Sequence, residues 1–567
     1  MLFIRYFGKG ITQDIHARLK VYVLDWTDAW DYRVIPSTVY VFFTNLLPAI
    51  AFAQDMFDKT HNSYGVNEVL LSSGMAGVVF GLLSGQPLCV VGVTGPISIF
   101  NYTVYELITP RGTPFFPFMA WVCLWSMVMH FAIAFANGVN YTRYISKFSC
   151  EVFGFFINFV YIQKGIQILT KQFTDISYES GYLSIVIALL MTLFGVAAAA
   201  FGNQSHYFKP VVRKIFADYG TPLCVVFYTG FAHFGNISRT ELARLPITLA
   251  FHPTVKYLNA LDGGRPDGWF IHFWKISVGD VFLAIPFAIL LTLLFYYDHN
   301  ISSLICQASK YPLKKPASFH WDFCLLGITT GVAGILGIPA PNGLIPQAPL
   351  HTDSLCVHDP KTGKITRVVE QRFTNTVQGL MTIGMMTRPL LVVLGLIPQA
   401  VLSGLFFIMG LLGINGNAVT NRLRFICMDK EFTHSEFNVE RREEFQQYAK
   451  PDKKWHYVYV TFLLILFVAE FSITNTKGAV GFPGVLIAGM LWACYFHYIF
   501  PKDQLALLDG PAADKSTLAN LHVGSSDSTM VNTLDNSEDE EAEIGETKRV
   551  RKVRRVAHNG DKGSTEE

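Results

Sequence analysis

Long apolar runs, separated by short polar stretches, dominate this chain. Val281–Tyr297, Tyr457–Phe471 and Val480–Ile499 are three of them. Runs of roughly 17–25 apolar residues cross the hydrocarbon of a bilayer as helices. The pattern predicts fourteen membrane segments. The first seven fall at about 34–55, 67–84, 94–108, 115–136, 150–170, 181–201 and 220–235. After a long polar loop come about 279–305, 320–338, 342–350, 375–398, 402–418, 456–471 and 479–500. Spans 3 and 10 are short.

Two places break this pattern in the same way. One reads Gly85-Gln86-Pro87-Leu88-Cys89-Val90-Val91-Gly92-Val93-Thr94-Gly95-Pro96. The other reads Gly337-Ile338-Pro339-Ala340-Pro341-Asn342-Gly343-Leu344-Ile345-Pro346-Gln347. Proline removes a backbone donor, and glycine gives a helix no side chain to hold. Within hydrocarbon depth such a break survives only where it is buried in protein or lines a cavity. Matched interruptions in two halves of a membrane chain point to a transporter's binding site.

Loop charge orients the segments. With both termini on the cytosolic side, the cytosolic loops carry about 20 Lys and Arg, and the outer loops about nine. The breaks fall at spans 2–3 and 9–10, so the chain divides into two halves of seven. Seven is odd, and the halves therefore run in opposite directions: an inverted repeat. The expected fold is all-α and polytopic, with the half-helices of spans 3 and 10 meeting near the midplane. Residues 1–33 form a cytosolic arm with an amphipathic, surface-seeking pattern. Residues 34–235 form the first repeat, 236–278 an outer loop, and 279–500 the second repeat. Gly77, Gly81 and Gly85, like Gly327 and Gly331, recur at four-residue spacing that lets helices approach closely.

Composition agrees. Of 567 residues, 51% are hydrophobic and 16% charged, with a mean hydropathy of +0.32. A soluble domain is nearer a quarter charged. From Pro501 the sequence turns polar, with an acidic run Glu538–Glu543 and a basic cluster from Lys548 to Arg555. Such composition predicts a disordered cytosolic tail over 501–567. None of the nine cysteines forms a C-x-x-C pair, which argues against zinc. There is no phosphate-binding loop, no His-Glu-x-x-His and no Gly-x-Ser-x-Gly. The expectation is a transporter rather than an enzyme, without a cofactor or a nucleic-acid partner. A membrane scaffold or receptor acting through its tail is the reading from another class.

The candidate chemistry sits at the breaks. Span 3 is expected to start at Thr94-Gly95-Pro96 and span 10 near Asn342-Gly343. Each helix start presents free N–H groups and partial positive charge, which suits an anion or an oxygen-rich neutral solute. Thr94, Asn342 and Gln347 add hydrogen-bonding groups; as ordinary helix caps, Thr94 and Asn342 serve equally. Asp298 lies near the end of a long apolar run, in Tyr296-Tyr297-Asp298-His299-Asn300. An intramembrane carboxylate pairs, takes a proton or lines a solute path. If its span starts at Gly279, Asp298 lies about 29 Å along the helix and is interfacial. If it starts near Phe270, Asp298 lies deeper. Glu106, Lys164, Arg388 and Glu470 are further charges in or near spans.

These residues resemble those of the borate efflux transporters, within the wider anion-exchanger (bicarbonate transporter) family. The most specific stretch is Gly337 to Thr352, close to the plant and fungal borate-transporter pattern. Ile35 to Phe43, Leu47 to Phe52, Gly95-Pro96-Ile97-Ser98 and Tyr297-Asp298-His299-Asn300 also match. The resemblance implies core and gate domains, a homodimer through the gate, and a core that moves as an elevator. It places the substrate site at Phe52, Thr94 to Pro96, Asn342, Gly343 and Gln347, with Asp298 as the coupling group. The implied cargo is borate or boric acid, exported across the plasma membrane; the alternative is another inorganic anion such as bicarbonate or sulfate. One departure stands out: Gln347 falls where anion exchangers carry arginine. Arginine gives a fixed cation, whereas glutamine gives only hydrogen bonds.

Overall fold

The computed structural model describes residues 7–205, 207–254, 268–308, 310–358, 365–428, 445–476, 478–510 and 521. The charged runs of the tail lie outside these, as does part of the outer loop. Two short helices, α1 (Lys9–Leu19) and α2 (Tyr22–Thr27), come first. The first apolar set is α3 (Val34–Lys59), α4 (Val66–Leu83), α5 (Gly95–Ile108), α6 (Phe115–Phe135), α7 (Lys147–Asp175), α8 (Tyr178–Gln204) and α9 (Pro210–Phe231). The second begins with α10 (Val278–Cys306), α11 (His320–Leu336) and α12 (Gln347–Ser354). It continues with α13 (Phe373–Gly384), α14 (Arg388–Gly395), α15 (Gln399–Gly416), α16 (Ala418–Cys427), α17 (Lys453–Thr474) and α18 (Phe482–Cys494).

Among the described residues, nine helices are long and apolar enough to cross a membrane, or ten if α13 and α14 count as one bent span. Each of the fourteen expected segments coincides with helix. The remaining ones are shorter, bent or less apolar, α5 at 14 residues and α12 at eight being the shortest. The expected straight span at 375–398 is instead bent by 79° between α13 and α14. Pro389, in the first turn of α14, cannot donate to the preceding turn, and the chain restarts at an angle.

The periodic glycines do what their spacing suggests. A methyl group at Gly77 would lie 2.9 Å from Gly379 Cα, so α4 lies directly on α13. A methyl group at Gly327 would lie 2.6 Å from His130 Cβ, and α11 lies as closely on α6. Four contacts come in matching pairs. α4 packs on α13 as α11 packs on α6, and α3 packs on α13 as α10 packs on α6.

Between these pairs lie the two breaks, and they meet. β1 (Val91–Gly92) pairs antiparallel with β2 (Asn342–Gly343), Val91 opposite Gly343 and Gly92 opposite Asn342. Their exposed backbone groups are satisfied by side chains from other segments, as burial requires. Asp322 accepts from the Gly85 and Gln86 amides, and Asn375 donates to the Pro87 and Cys89 carbonyls. His351 donates from Nδ1 to the Leu88 carbonyl at 2.8 Å, so its Nε2 accepts from Thr374 Oγ1. Span 10 starts later than its sequence suggests. Asn342 and Gly343 are extended, and the helix begins at Gln347 after a turn through Leu344-Ile345-Pro346.

The N-terminal arm packs on the body rather than lying free on a surface. Asp14 Oδ2 accepts from the Phe319, His320 and Trp321 amides at 2.8–3.1 Å, capping α11 from a different element. Asp25 on α2 binds Arg372 Nε at 2.9 Å, and Arg372 in turn caps the end of α4 through the Ser84 carbonyl at 2.7 Å.

Candidate functional site

A small cavity lies where the β1–β2 pair meets α3, α7 and α10. Among its lining residues are Phe52, Thr94, Gly95, Pro96, Asp298, Gly343 and Gln347. Its volume is about 20 Å³, against the roughly 10–15 Å³ that one water needs. The site as it stands has room for little more than one water, and Pro346 on its rim is exposed. Seven of the eight residues singled out from sequence share this one wall. The eighth, Asn342, is fully buried and stands behind Asp298 instead.

Each wall has a local cause. Thr94 is the N-cap of α5, and its Oγ1 accepts from the Ile97 amide at 3.4 Å. Its hydroxyl proton stays available to the cavity. Gly95 follows as the first helical residue. A methyl there would come 3.1 Å from Phe52 Cζ, so glycine lets the Phe52 ring lie against the helix start. Gln347 opens α12, its Nε2 donating to the Thr44 carbonyl at 3.3 Å. Its Oε1 is buried without a hydrogen-bond partner. Two helix N-termini thus converge on the cavity, each with partial positive charge.

Asp298 settles the two sequence alternatives in an unforeseen way. Its helix starts at Val278, close to the shallower choice, yet Asp298 is only 2% exposed. α10 runs 29 residues, longer than a bilayer requires. Asn342 Nδ2 donates to Asp298 Oδ2 at 3.0 Å, while Asp298 Oδ1 has no hydrogen-bond partner. Gly343 is what brings β2 this close. A methyl there would lie 2.8 Å from His299 Cα and 3.3 Å from the Asp298 carbonyl oxygen.

Asn45, Pro48, Ile157 and Tyr161 are among the lining residues that were not singled out from sequence. Asn45 Nδ2 donates to Gln378 Oε1 at 3.1 Å, and Gln378 Nε2 donates to Asn375 Oδ1 at 3.0 Å. This amide chain ties the cavity to the groups that hold the first break. Asn45 Oδ1 remains buried without a hydrogen-bond partner. A lone amide in an apolar helix was the available signal. The Tyr161 and Phe52 rings lie 5.9 Å apart, and Phe406 closes on Phe52 at 5.7 Å. Among the described residues, no lysine or arginine lines the cavity. Of the other intramembrane charges, Lys164 pairs with Asp55 at 2.8 Å. Glu470 is fully buried, Glu106 and Arg388 are exposed.

Apolar helices around two facing helix breaks, with a few polar groups at the cavity between them, describe an integral-membrane transporter. The chain belongs to the family of the HCO3- transporter integral membrane domain, whose model matches residues 5–184 and 175–513. It is 54% identical to Boron transporter 1 of Saccharomyces cerevisiae, over 91% of this chain and 87% of that protein. It is 49% identical to a putative transporter of Schizosaccharomyces pombe, over 89% of this chain and 96% of that one. Band 3 anion transport protein of Rattus norvegicus is 26% identical over 90% of this chain, which spans 55% of that longer protein.

Proposed function

We propose that this chain exports boron, as borate or boric acid, across the plasma membrane by alternating access. The observation that carries the reading is the cavity itself. It offers two helix N-termini, Thr94, Gln347 and the unpaired Asp298 Oδ1, with no lysine or arginine on its wall. Such a lining suits a small, hydroxyl-rich solute that both donates and accepts hydrogen bonds. Boric acid and borate are solutes of this kind, and the yeast relative carries boron in its name. A bare anion beside an ionised Asp298 in a dry cavity is costly. The cargo therefore moves either as neutral boric acid or as borate with a proton on Asp298. The borate route links export to protons through that carboxyl, and the boric acid route does not.

The paired contacts support the seven-plus-seven inverted repeat. Exchanging each span with its counterpart seven further on turns the α4–α13 contact into α11–α6, and α3–α13 into α10–α6. On this reading α3–α6 and α10–α14 form the core that carries the cavity. α7–α9 and α15–α18 form the gate, through which two copies pair and against which the core slides. Loop charge puts both termini in the cytosol.

Expression in boron-sensitive cells, with intracellular boron measured by elemental analysis, tests the proposal. Boron is expected to fall, and an unchanged level overturns it. Transport of bicarbonate or sulfate by the purified protein in vesicles, with no boron flux, would favour the other anions instead.

A further inference from the structure

One turn beyond the cavity, α3 and α7 are joined by charge. Phe52 and Tyr161 line the cavity, and Asp55 and Lys164 follow them on the same two helices. Lys164 Nζ lies 2.8 Å from Asp55 Oδ2, with side-chain exposures of only 6% and 9%. Lys164 also donates to the Tyr102 hydroxyl of α5 at 3.1 Å. Lys59 approaches Asp55 Oδ1 at 3.4 Å from its own helix. Both ammonium groups lie against the Tyr102 ring, at 4.2 Å and 4.7 Å from its centroid. On the far side a polar vestibule of about 290 Å³ opens, lined by Lys59, Tyr102, Glu106 and Lys164 among others. The ion pair thus stands between vestibule and cavity.

A second pair, Lys171 to Asp58 at 2.8 Å, joins the same helices farther out, but its lysine is 41% exposed. An exposed pair holds weakly, because water and salt replace either partner. A buried pair resists separation, because each charge left alone in a low dielectric is uncompensated. α3 and α7 therefore part at Asp55 and Lys164 only when another charge or water takes the vacated place.

We propose that Asp55 and Lys164 form the outer gate of the transport path, and that an anionic cargo opens it by replacing Asp55 at Lys164. The inference rests on the export reading for its cargo. A departing borate gives Lys164 a new counter-charge; a neutral solute does not. The pair accordingly favours release of the charged form, although the cavity lining itself carries no lysine or arginine. Tyr102, whose hydroxyl accepts from Lys164 Nζ, holds that ammonium in place as a positioning residue.

A cysteine at position 94 reports the gate. In the full-length protein in sealed vesicles, Thr94→Cys is labelled with a membrane-impermeant thiol reagent from either side. Labelling is read by mass at that residue. In Asp55→Asn or Lys164→Gln backgrounds, labelling from the vestibule side is expected to rise about fivefold or more, as the open state gains population. The charge reversal Asp55→Lys with Lys164→Asp is expected to return it to the starting rate. If a single variant fails to fold, the neutral double variant Asp55→Asn with Lys164→Gln carries the same test. Unchanged labelling in every background overturns the gate. The labelling needs no boron, so the two readings fail separately. With flux measured in protein that keeps Thr94, raised labelling without boron flux overturns the export reading alone, and boron flux with unchanged labelling overturns the gate alone.

Discussion

Asn342 Nδ2 binds Asp298 Oδ2 at 3.0 Å, and the Asn342 Oδ1 accepts from the Gly343 amide at 2.8 Å. One side chain therefore fixes both the carboxylate and the strand beside it. The second break is held to α10 through the group that the proposed coupling uses. Any motion of β2 also moves the hydrogen-bond environment of Asp298.

Asn342→Ala separates these two roles from cargo contact, because Asn342 is not on the cavity wall. Losing a buried partner costs about 1–3 kcal/mol. The variant is expected to lower the melting temperature of the purified protein and to cut boron efflux about tenfold. Wild-type efflux would show that the carboxylate needs no orientation.

Asp298→Asn keeps the size of the side chain and its bond to Asn342, but removes the exchangeable proton. The expected outcome is a boron flux that is reduced and no longer varies with pH. Flux into vesicles across a series of pH values is the measurement. An unaltered pH profile would assign Asp298 to packing and remove proton linkage from the mechanism.

Gly343→Ala probes the approach of β2 to α10. The added methyl meets backbone atoms, His299 Cα at 2.8 Å and the Asp298 carbonyl oxygen at 3.3 Å, which cannot rotate aside. Overpacking of this kind costs about 1–3 kcal/mol. The variant is expected to melt earlier and to lose export. Gly384→Ala, where a methyl meets nothing within 4 Å, is the control expected to leave stability unchanged.

How far the sequence reached can be judged from these same residues. Pro87, Pro339 and Pro341 mark helix stops because they cluster with glycines, whereas the lone Pro48 and Pro286 stay inside α3 and α10. That was enough to bring Thr94, Gly343 and Gln347 to one wall. The pairing of Val91 with Gly343 was not legible. Two-residue strands carry no period, and their partner is set by how the surrounding helices pack. The start of span 10 was misplaced for a related reason: Asn342 looks like a cap, yet its side chain is taken by Asp298. Asn45 and Tyr161 escaped because polar residues fall on more than one face of their helices, so none marks the face toward the cavity. The distance of Asp298 along its helix left interfacial and deeper positions open, and its burial depends on the breaks and neighbouring helices, which distance along one helix leaves out.

Gln347→Arg tests what the missing cation means. Gln347 opens α12 on the same cavity wall as Asp298, with its Oε1 free of hydrogen bonds. An arginine there brings a permanent charge and five donors into a space of about 20 Å³. Asp298 Oδ1 is the anionic acceptor without a hydrogen-bond partner on that wall, beside the neutral Asn45 Oδ1. A buried guanidinium and carboxylate hold each other strongly, because separating them leaves both uncompensated. The pair would occupy the oxygen that the cargo or its proton needs, and would hold α12 against α10. Boron efflux is therefore expected to fall at least about tenfold while the protein melts no earlier than wild type. Adding Asp298→Asn to Gln347→Arg removes the new pair and leaves a cation facing two helix N-termini. That double variant is expected to bind a small inorganic anion better than either parent, read as anion-dependent thermal stabilisation. Undiminished boron efflux in Gln347→Arg would show that position 347 does not face the cargo.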